Sequence, residues 1–522
     1  MNKRSSFLFH WSHLCLLGLV FSCAGCKGGS GLDSDSPPNI IFVFTDDHAA
    51  QAVGAYGGIL AELNPTPNID RLASEGILFR NAFVTNSICA PSRAVILTGK
   101  HSHINGVMTN RDRFDSSQVT FPKLLQGAGY QTAIVGKWHL KSEPTGFDYW
   151  EVLPGQGKYY NPDFRTADGV QRTQGYVTDV ITDRAIDWID SGRDPSRPFL
   201  LMYQHKAPHR EWSPGPGHLT KFDDEVVPEP ATLFDDYTGR ASVVKEQEME
   251  IDRHMDLYYD LKVRQAADSS SVLTKYADQN YDRMNDDQRR QWDSAYEPKN
   301  ARFMDLDLSG DELVRWKYQR YVKDYLRTIA SVDDNLGRLI EYLEAEGLAE
   351  NTVLVYNSDQ GFYLGEHGWF DKRWMYEESL RSPLIIRWPA QISKGLETRA
   401  MVQNLDFAPT FLDLAGVPIP EDIQGESFAS LLRGEGDSPG RSDIYYQYYE
   451  SDVEHRVAKH YGIRTDRYKL IHYYEVDEWE LFDLATDADE LRSVYDEPGY
   501  AATVADLGAR LYGLRDDFGV VD

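Results

Sequence analysis

Four short apolar runs organise the chain, and each ends in a cluster of polar residues. Ile40-Ile41-Phe42-Val43-Phe44 leads into Thr45-Asp46-Asp47, and Thr132-Ala133-Ile134-Val135 into Gly136-Lys137-Trp138-His139. Phe199-Leu200-Leu201-Met202-Tyr203 leads into Gln204-His205-Lys206-Ala207-Pro208-His209, and Thr352-Val353-Leu354-Val355-Tyr356 into Asn357-Ser358-Asp359-Gln360-Gly361. Unbroken apolar runs of this length fit strands buried on both faces, as in a helix-covered parallel sheet. Helical patterns lie between them, at 69–76, 121–129 and 177–191. The expected fold is therefore α/β, a large mixed, mostly parallel sheet sandwiched by helices. Ligands of such sheets bind outside the carboxyl ends of the strands. Polar clusters at four strand ends thus predict one convergent site.

Beyond these runs, 405–432 reads as helix, turn and helix. A Gly/Pro/Ser/Asp-rich stretch at 434–440 then marks a boundary. Segments 444–449, 461–464 and 468–474 alternate like antiparallel strands, and 501–514 looks helical. The expected organisation is a catalytic domain at 39–435 and a small α+β subdomain at 436–522. Asp305-Leu306-Asp307-Leu308-Ser309-Gly310 begins like a calcium-binding loop, but Trp316 stands where the bidentate Glu belongs. Ser309 and Glu312 instead predict a capping box for a helix over 313–327. The Asp-, Tyr- and Arg-rich stretch 214–311 is expected to wrap the mouth of the site.

Composition narrows the function. A net charge of −28 over 522 residues argues against nucleic-acid binding, and any anionic substrate must be captured by local positive charge. At the amino terminus, Lys3 and Arg4 precede the apolar stretch from Leu14 to Phe21, with small residues around Cys23 and Cys26. Residues 1–26 read as an export signal of lipoprotein type, with either cysteine as the lipidated residue, and 27–38 as a flexible tether. The expected location is the periplasm, outer membrane or cell surface, with membrane contact only through the anchor. No second apolar stretch of spanning length follows.

Three of the four cysteines lie in that signal, which leaves Cys89 without a disulfide partner in the body of the chain. Cys89 opens the run Cys89-Ala90-Pro91-Ser92-Arg93-Ala94-Val95-Ile96-Leu97-Thr98-Gly99. Pro91 suits the first position of a helix and Gly99 its end. The cysteine is then expected just ahead of a helix N-terminus, where free N–H groups favour an anion. Arg93, one turn in, can return its guanidinium to the same place and bind a tetrahedral oxyanion. Asp46, Asp47, Asp359 and Gln360 are hard oxygen donors of the kind that bind Ca²⁺ or Mg²⁺.

The run resembles the sulfatase signature, Cys-x-Pro-Ser-Arg-x-x-x-x-Thr-Gly, without a departure, and the resemblance extends from about Asn39 to Asp489. It implies an alkaline-phosphatase-like fold and conversion of Cys89 to formylglycine by a sulfatase-maturating enzyme. It also implies one calcium ion held by Asp46, Asp47, Asp359, Gln360 and residue 89. Where Gln360 stands the family often has Asn or His. Lys137 and Lys372 would hold sulfate oxygens, His139 would contact the formylglycine, and His209 would serve the leaving group. His205 and His367 are candidate substrate contacts. The passages around His209 and His367 look most like glycan sulfatases of the N-acetylglucosamine-6-sulfatase-like type. The substrate class is then a sulfated carbohydrate, either a glycosaminoglycan 6-sulfate or an algal polysaccharide such as ulvan, carrageenan or fucan. The acidic composition leans toward the algal case. A phosphatase or phosphonate hydrolase of the same superfamily, or a non-catalytic calcium-dependent glycan binder, are the alternatives. Mass analysis of the peptide carrying residue 89, from a maturation-competent host, should show a loss of about 18 Da as thiol becomes aldehyde. Full activity with an unmodified cysteine would refute the assignment.

Overall fold

The computed structural model describes residues 37–436, 440–451 and 454–521. The export signal and all of the tether except its last two residues lie outside the described residues. In chain order the strands are β1 (Asn39–Thr45), β2 (Ile77–Phe83), β3 (Gln131–Lys137), β4 (Tyr149–Leu153), β5 (Asp163–Thr166), β6 (Gly169–Arg172), β7 (Phe199–Gln204) and β8 (Thr352–Ser358). There follow β9 (Tyr363–Leu364), β10 (Phe370–Asp371), β11 (Leu384–Arg387) and β12 (Leu396–Gln403), then β13 (Asp443–Tyr448), β14 (His460–Thr465), β15 (Tyr468–Tyr473) and β16 (Glu478–Asp483).

Ten strands form one sheet in the order β12-β2-β11-β8-β1-β7-β3-β4-β5-β6. The four apolar runs are its centre, with β8, β1, β7 and β3 adjacent and all parallel. Their side chains are sealed on both faces because helices cover each side. Ile41 and Val43 pack under helices Pro67–Ser74, Val177–Asp187 and Gly310–Ala345, while Ile40, Phe42 and Phe44 face helices Cys89–Thr98 and Phe407–Leu414. Two strands run the other way: β11, paired directly with β8 and β2, and β5, between β4 and β6.

Helix Gly310–Ala345 is longer than the sequence pattern implied, 36 residues or about 54 Å. Ser309 occupies its cap position in an extended conformation, but its side chain makes no cap hydrogen bond, so the expected capping box is not formed. The long buried face, from Val314 to Leu343, holds the helix in place instead. Among the described residues no helix is long and apolar enough to cross a membrane.

The carboxyl-terminal sheet has the order β13-β14-β15-β16, all antiparallel. Strand β16 was not marked by the sequence pattern. The alternation of a pleated strand explains its two buried faces. Tyr445, Ile463, Leu470 and Leu481 meet Leu507 and Leu511 of helix Ala501–Asp517, and Tyr446, Ile471 and Phe482 pack on Phe83, Trp374 and Tyr376. Residues 37–522 accordingly form one compact unit.

Gly136, next to Lys137 in β3, has φ +109° and lies against the carbonyl of Gln204 in β7. A methyl group there would collide with that carbonyl. Gly136→Ala should therefore destabilise the protein by more than about 2 kcal/mol and lower activity by displacing Lys137. Urea unfolding checks the first effect, and an unchanged midpoint would contradict this account.

Candidate active site

The helix that carries the signature run starts earlier than the sequence suggested. Ser92 N donates to Ile88 O at 3.0 Å, which makes Ile88 the cap and puts Cys89 inside the first turn. Pro91 still costs no hydrogen bond, since first-turn N–H groups have no helical acceptor. Gly99 closes the helix in the left-handed region at φ +66°, its N–H on Val95 O at 2.8 Å. Ser92 is a brace: its hydroxyl donates to Asp359 O at 2.5 Å and accepts from Asn404 Nδ2 at 3.0 Å. This ties the cysteine's turn to the end of β8.

The ends of β1 and β8 bring the oxygen donors together. Asp47 N donates to Asp359 Oδ1 at 3.0 Å, and Gln360 Nε2 to Asp47 Oδ1 at 2.5 Å. One oxygen each of Asp46, Asp47 and Asp359 lies within 4.8 Å of the others, and the same holds for Asp46, Cys89 Sγ and a His209 nitrogen. All of these groups except His209 are fully buried. Burial pushes the Asp47 carboxyl up to about 6, against the pull of Lys372. Burial and the charge of Asp46 likewise push Asp359 well up. At Asp46 burial is outweighed by Lys137, His209 and Arg93, and the carboxyl falls well below its usual range. Burial and Asp46 push the Cys89 thiol well up.

Three cations balance these acids. Arg93 Nη2 lies 3.0 Å from Asp359 Oδ2 and 3.6 Å from Asp46 Oδ1, while Nη1 donates to Lys137 O and Gln204 Oε1, each at 2.9 Å. Lys137 Nζ contacts Asp46 Oδ2 and donates to Gln156 Oε1 at 2.5 Å. Lys372 Nζ reaches both oxygens of Asp47, at 2.6 and 2.7 Å. His209 Nδ1 lies 2.6 Å from Arg210 O, an acceptor, so Nε2 is the nitrogen left free, 3.9 Å from Asp47 Oδ2. Burial and Lys137 lower the pKa of both His209 and His139 well below the ordinary value. His139 has φ +56° and a buried Nδ1 without a partner.

Two expected substrate contacts occupy other positions. His205 is fully buried edge-on to Tyr203, with ring centroids 4.4 Å apart and neither nitrogen hydrogen-bonded. His367 is sealed among Tyr363, Trp369 and Tyr376, its Nδ1 3.0 Å from Asp235 Oδ2. Neither hydrogen-bonds to a residue around Cys89. Both imidazoles are packed among aromatic rings in this structure.

Other residues enter unannounced. Asp371 and Arg373 flank Lys372 with φ +78° and +95°, conformations that bulky residues hold only under surrounding constraint. Asp371 Oδ2 lies 2.9 Å from His455 Nε2 and 3.1 Å from Arg373 Nε, and Arg373 Nη1 donates to Glu450 Oε2 at 3.2 Å. Glu450 accepts from Asn110 N at 2.7 Å, and Asn110 Oδ1 from Ala90 N at 3.0 Å, beside Cys89. The only signal in the sequence was the pair of charges around Lys372. The segment 214–311 contributes Asp260, which takes both sides of the Arg210 guanidinium at 2.7 and 2.8 Å, next to His209.

A nucleophile position in a helix's first turn, a knot of carboxylates and three cations arranged for a tetrahedral oxyanion define a hydrolase of anionic esters. The chain belongs to the sulfatase family: the family model described as Sulfatase matches residues 38–417, and that described as N-sulphoglucosamine sulphohydrolase, C-terminal, matches 365–517. It is 50% identical to an N-acetylglucosamine-6-O-sulfatase of Bacteroides thetaiotaomicron over 95% of this chain and 89% of that protein. A solved structure of a protein in complex with its substrate D-glucosamine-2-N,6-O-disulfate superposes with a TM-score of 0.89 at 49% identity, covering 93% of this chain and 99% of that one. The alkaline-phosphatase-like fold is shared more widely. A phosphonate monoester hydrolase from Silicibacter pomeroyi superposes with a TM-score of 0.67 at 22% identity, over 92% of this chain and 95% of that one.

The donor set fits the calcium ion that the family uses. Asp46 Oδ1 and Gln360 Oε1 are buried oxygens without a hydrogen-bond partner. Burial first, and then the charge of Asp46, disfavours ionisation of Asp47 and Asp359, and a divalent cation relieves both. Both candidate metal groups share Asp46, so they describe one centre. Calcium at a hundredfold excess over its Kd should stabilise the protein by about 2.7 kcal/mol, and chelation should remove both this gain and the activity. Asp359→Ala should abolish the response. Melting and rate that ignore chelation and back-titration would overturn the site.

Proposed function

We propose that this sulfatase removes 6-O-sulfate from glucosamine units of a sulfated glycan, with residue 89 as formylglycine and one calcium ion held by Asp46, Asp47, Asp359 and Gln360. The observation that carries the reading is the convergence of Cys89 with Arg93, Lys137, Lys372 and His209 on one carboxylate cluster. The sugar specificity rests on the relative that is 50% identical and on the solved structure with the disulfated glucosamine. For this chain the lean toward an algal polysaccharide, drawn from acidic composition alone, gives way to that closer likeness. The partners that go with the reading are a sulfatase-maturating enzyme and a lipid anchor at Cys23 or Cys26. The location is the periplasm or cell surface.

The chemistry follows from where the residues stand. Calcium, when bound, supplies positive charge that eases ionisation of a hydroxyl and polarises a sulfuryl oxygen. Residue 89, as the hydrated aldehyde, would supply the hydroxyl that displaces the sugar oxygen from sulfur. Arg93, Lys137 and Lys372 stabilise charge on the sulfuryl oxygens, in a buried setting where such contacts are strong. His209, neutral with its Nδ1–H on Arg210 O, would take up at Nε2 the proton released at residue 89, whose side chain lies within 4.8 Å, and pass it to the departing sugar oxygen. His139, whose buried Nδ1 has no partner, would take the proton whose loss frees sulfate and restores the aldehyde. Asp371, Arg373 and His455 offer paired donors and acceptors beside Lys372, suited to sugar hydroxyls.

Turnover of N-acetylglucosamine 6-sulfate by matured protein, with the desulfated position read by NMR, tests the reading directly. No release from position 6 would overturn it. The role of His209 has its own signature. A sugar alkoxide needs a proton as it leaves, whereas nitrophenolate does not. His209→Ala should therefore lose roughly 10²–10⁴-fold on a sulfated sugar and far less on a nitrophenyl sulfate. Arg93→Ala should depress both alike, since it removes stabilisation common to the two reactions. Equal losses for His209→Ala would reassign it to binding.

A further inference from the structure

On a chain of net charge −28, four arginines meet in one concavity. Arg80 of β2, Arg399 of β12, Arg464 of β14 and Arg381, which follows helix Glu377–Leu380, line an open depression of about 500 Å³. It lies on the outer edge of the large sheet, where the carboxyl-terminal sheet adjoins it. None of these residues contacts the Cys89 cluster. The acidic residues of the wall are Glu397 and Asp466. Glu397 already pairs with Arg80, Oε2 to Nη2 at 2.8 Å.

The remaining cationic groups are underused. Glu377 takes Arg381 Nη2 and two nitrogens of Arg464, each of the latter at 3.3 Å. Arg381 Nε and Arg464 Nη1 are buried without a hydrogen-bond partner, both guanidiniums lying over the Phe83 ring, so these two lend positive field from beneath while Arg80 and Arg399 face the opening. Arg399 is exposed, and the acid whose charge it feels is Glu397, which is already hydrogen-bonded to Arg80. Its orientation is built in. The register of β12 against β2 slips between Thr398 and Met401, a bulge that re-aims the side chain of an edge strand. Asn81 Nδ2 holds the bulge through Arg399 O at 2.8 Å, and Thr398 Oγ1 accepts from Ala400 N at 3.1 Å.

We propose that this concavity is a second anion-binding site, which holds a sulfated unit of the glycan chain at a distance from the ester being cut. The proposal rests on the sulfatase reading, since the occupant is another part of the same polyanion. Guanidinium groups match the oxygens of sulfate in pairs. The volume falls in the range of sites that enclose small ligands, roughly 300–1,000 Å³. The overall negative charge does not prevent capture, because at physiological salt fields fade over about 8 Å and a compact cationic patch acts locally. Such a site would keep a long chain on the enzyme between cuts and would add nothing for a monosaccharide.

The test uses Arg399→Glu and Asp466→Lys, both at exposed positions without hydrogen-bond partners in their side chains. The probe is a fully sulfated, glucosamine-containing hexasaccharide, titrated calorimetrically into protein that also carries Cys89→Ser to prevent turnover. Arg399→Glu should weaken one class of binding about tenfold and flatten its salt dependence. Asp466→Lys should strengthen the same class, a gain that misfolding cannot produce. In protein with Cys89 intact and matured, the ratio of kcat/KM on hexasaccharide to that on monosaccharide should fall with Arg399→Glu and rise with Asp466→Lys. Identical hexasaccharide affinity in all three proteins would overturn the proposal. Failure of the sulfatase reading would look different: protein with Arg399 and Asp466 intact would release no sulfate from the monosaccharide.

Discussion

Three carboxylates, Asp46, Asp47 and Asp359, face three cations, Arg93, Lys137 and Lys372, with almost no contact with water, and the geometry of the strand ends depends on that balance. A buried charge without its partner is costly, whereas a matched set tolerates burial. Each cation is held by a different element: Arg93 by the signature helix, Lys137 by β3, Lys372 by the turn after β10. Losing one would leave its acid uncompensated and loosen an element that also positions catalytic atoms. Stability and chemistry are therefore coupled through the same ion pairs.

Much of this arrangement could be read from the chain because apolar runs and strand ends are local signals. The four runs became β1, β3, β7 and β8, and their polar termini converge around Cys89 as parallel topology requires. The resemblance to sulfatases supplied the assignment of Lys372, which no local pattern would have singled out. What stayed hidden depends on contacts distant in sequence. Glu450 and His455 lie far along the chain from Arg373 and Asp371 and are joined to them only by folding. His205 and His367 carried the right chemistry in the right passages, yet neighbouring aromatic rings sealed them into the interior. The length of helix Gly310–Ala345 was missed for a related reason. Its buried face includes Lys317, Arg320, Asp324 and Arg327, so the apolar stripe is broken by charges that pair only in the fold.

The small carboxyl-terminal sheet does more than close the molecule. Through Tyr446 it touches Ser87 N and Arg373 O, at 3.2 and 2.6 Å, and through Gln447 it reaches Thr85 at the approach to the signature helix. The approach to the signature helix is thus clamped from the side by residues that follow Ser87 by more than 350 positions.

The direction of β1 has a consequence for how such a molecule meets its surroundings. The strand begins at Asn39 and delivers Asp46 just past its far end, a rise of roughly 23 Å at about 3.3 Å per residue. Chain entry into β1 and the hydrolytic centre therefore lie at opposite ends of the same strand, so whatever precedes Asn39 joins the sheet far from the reacting atoms.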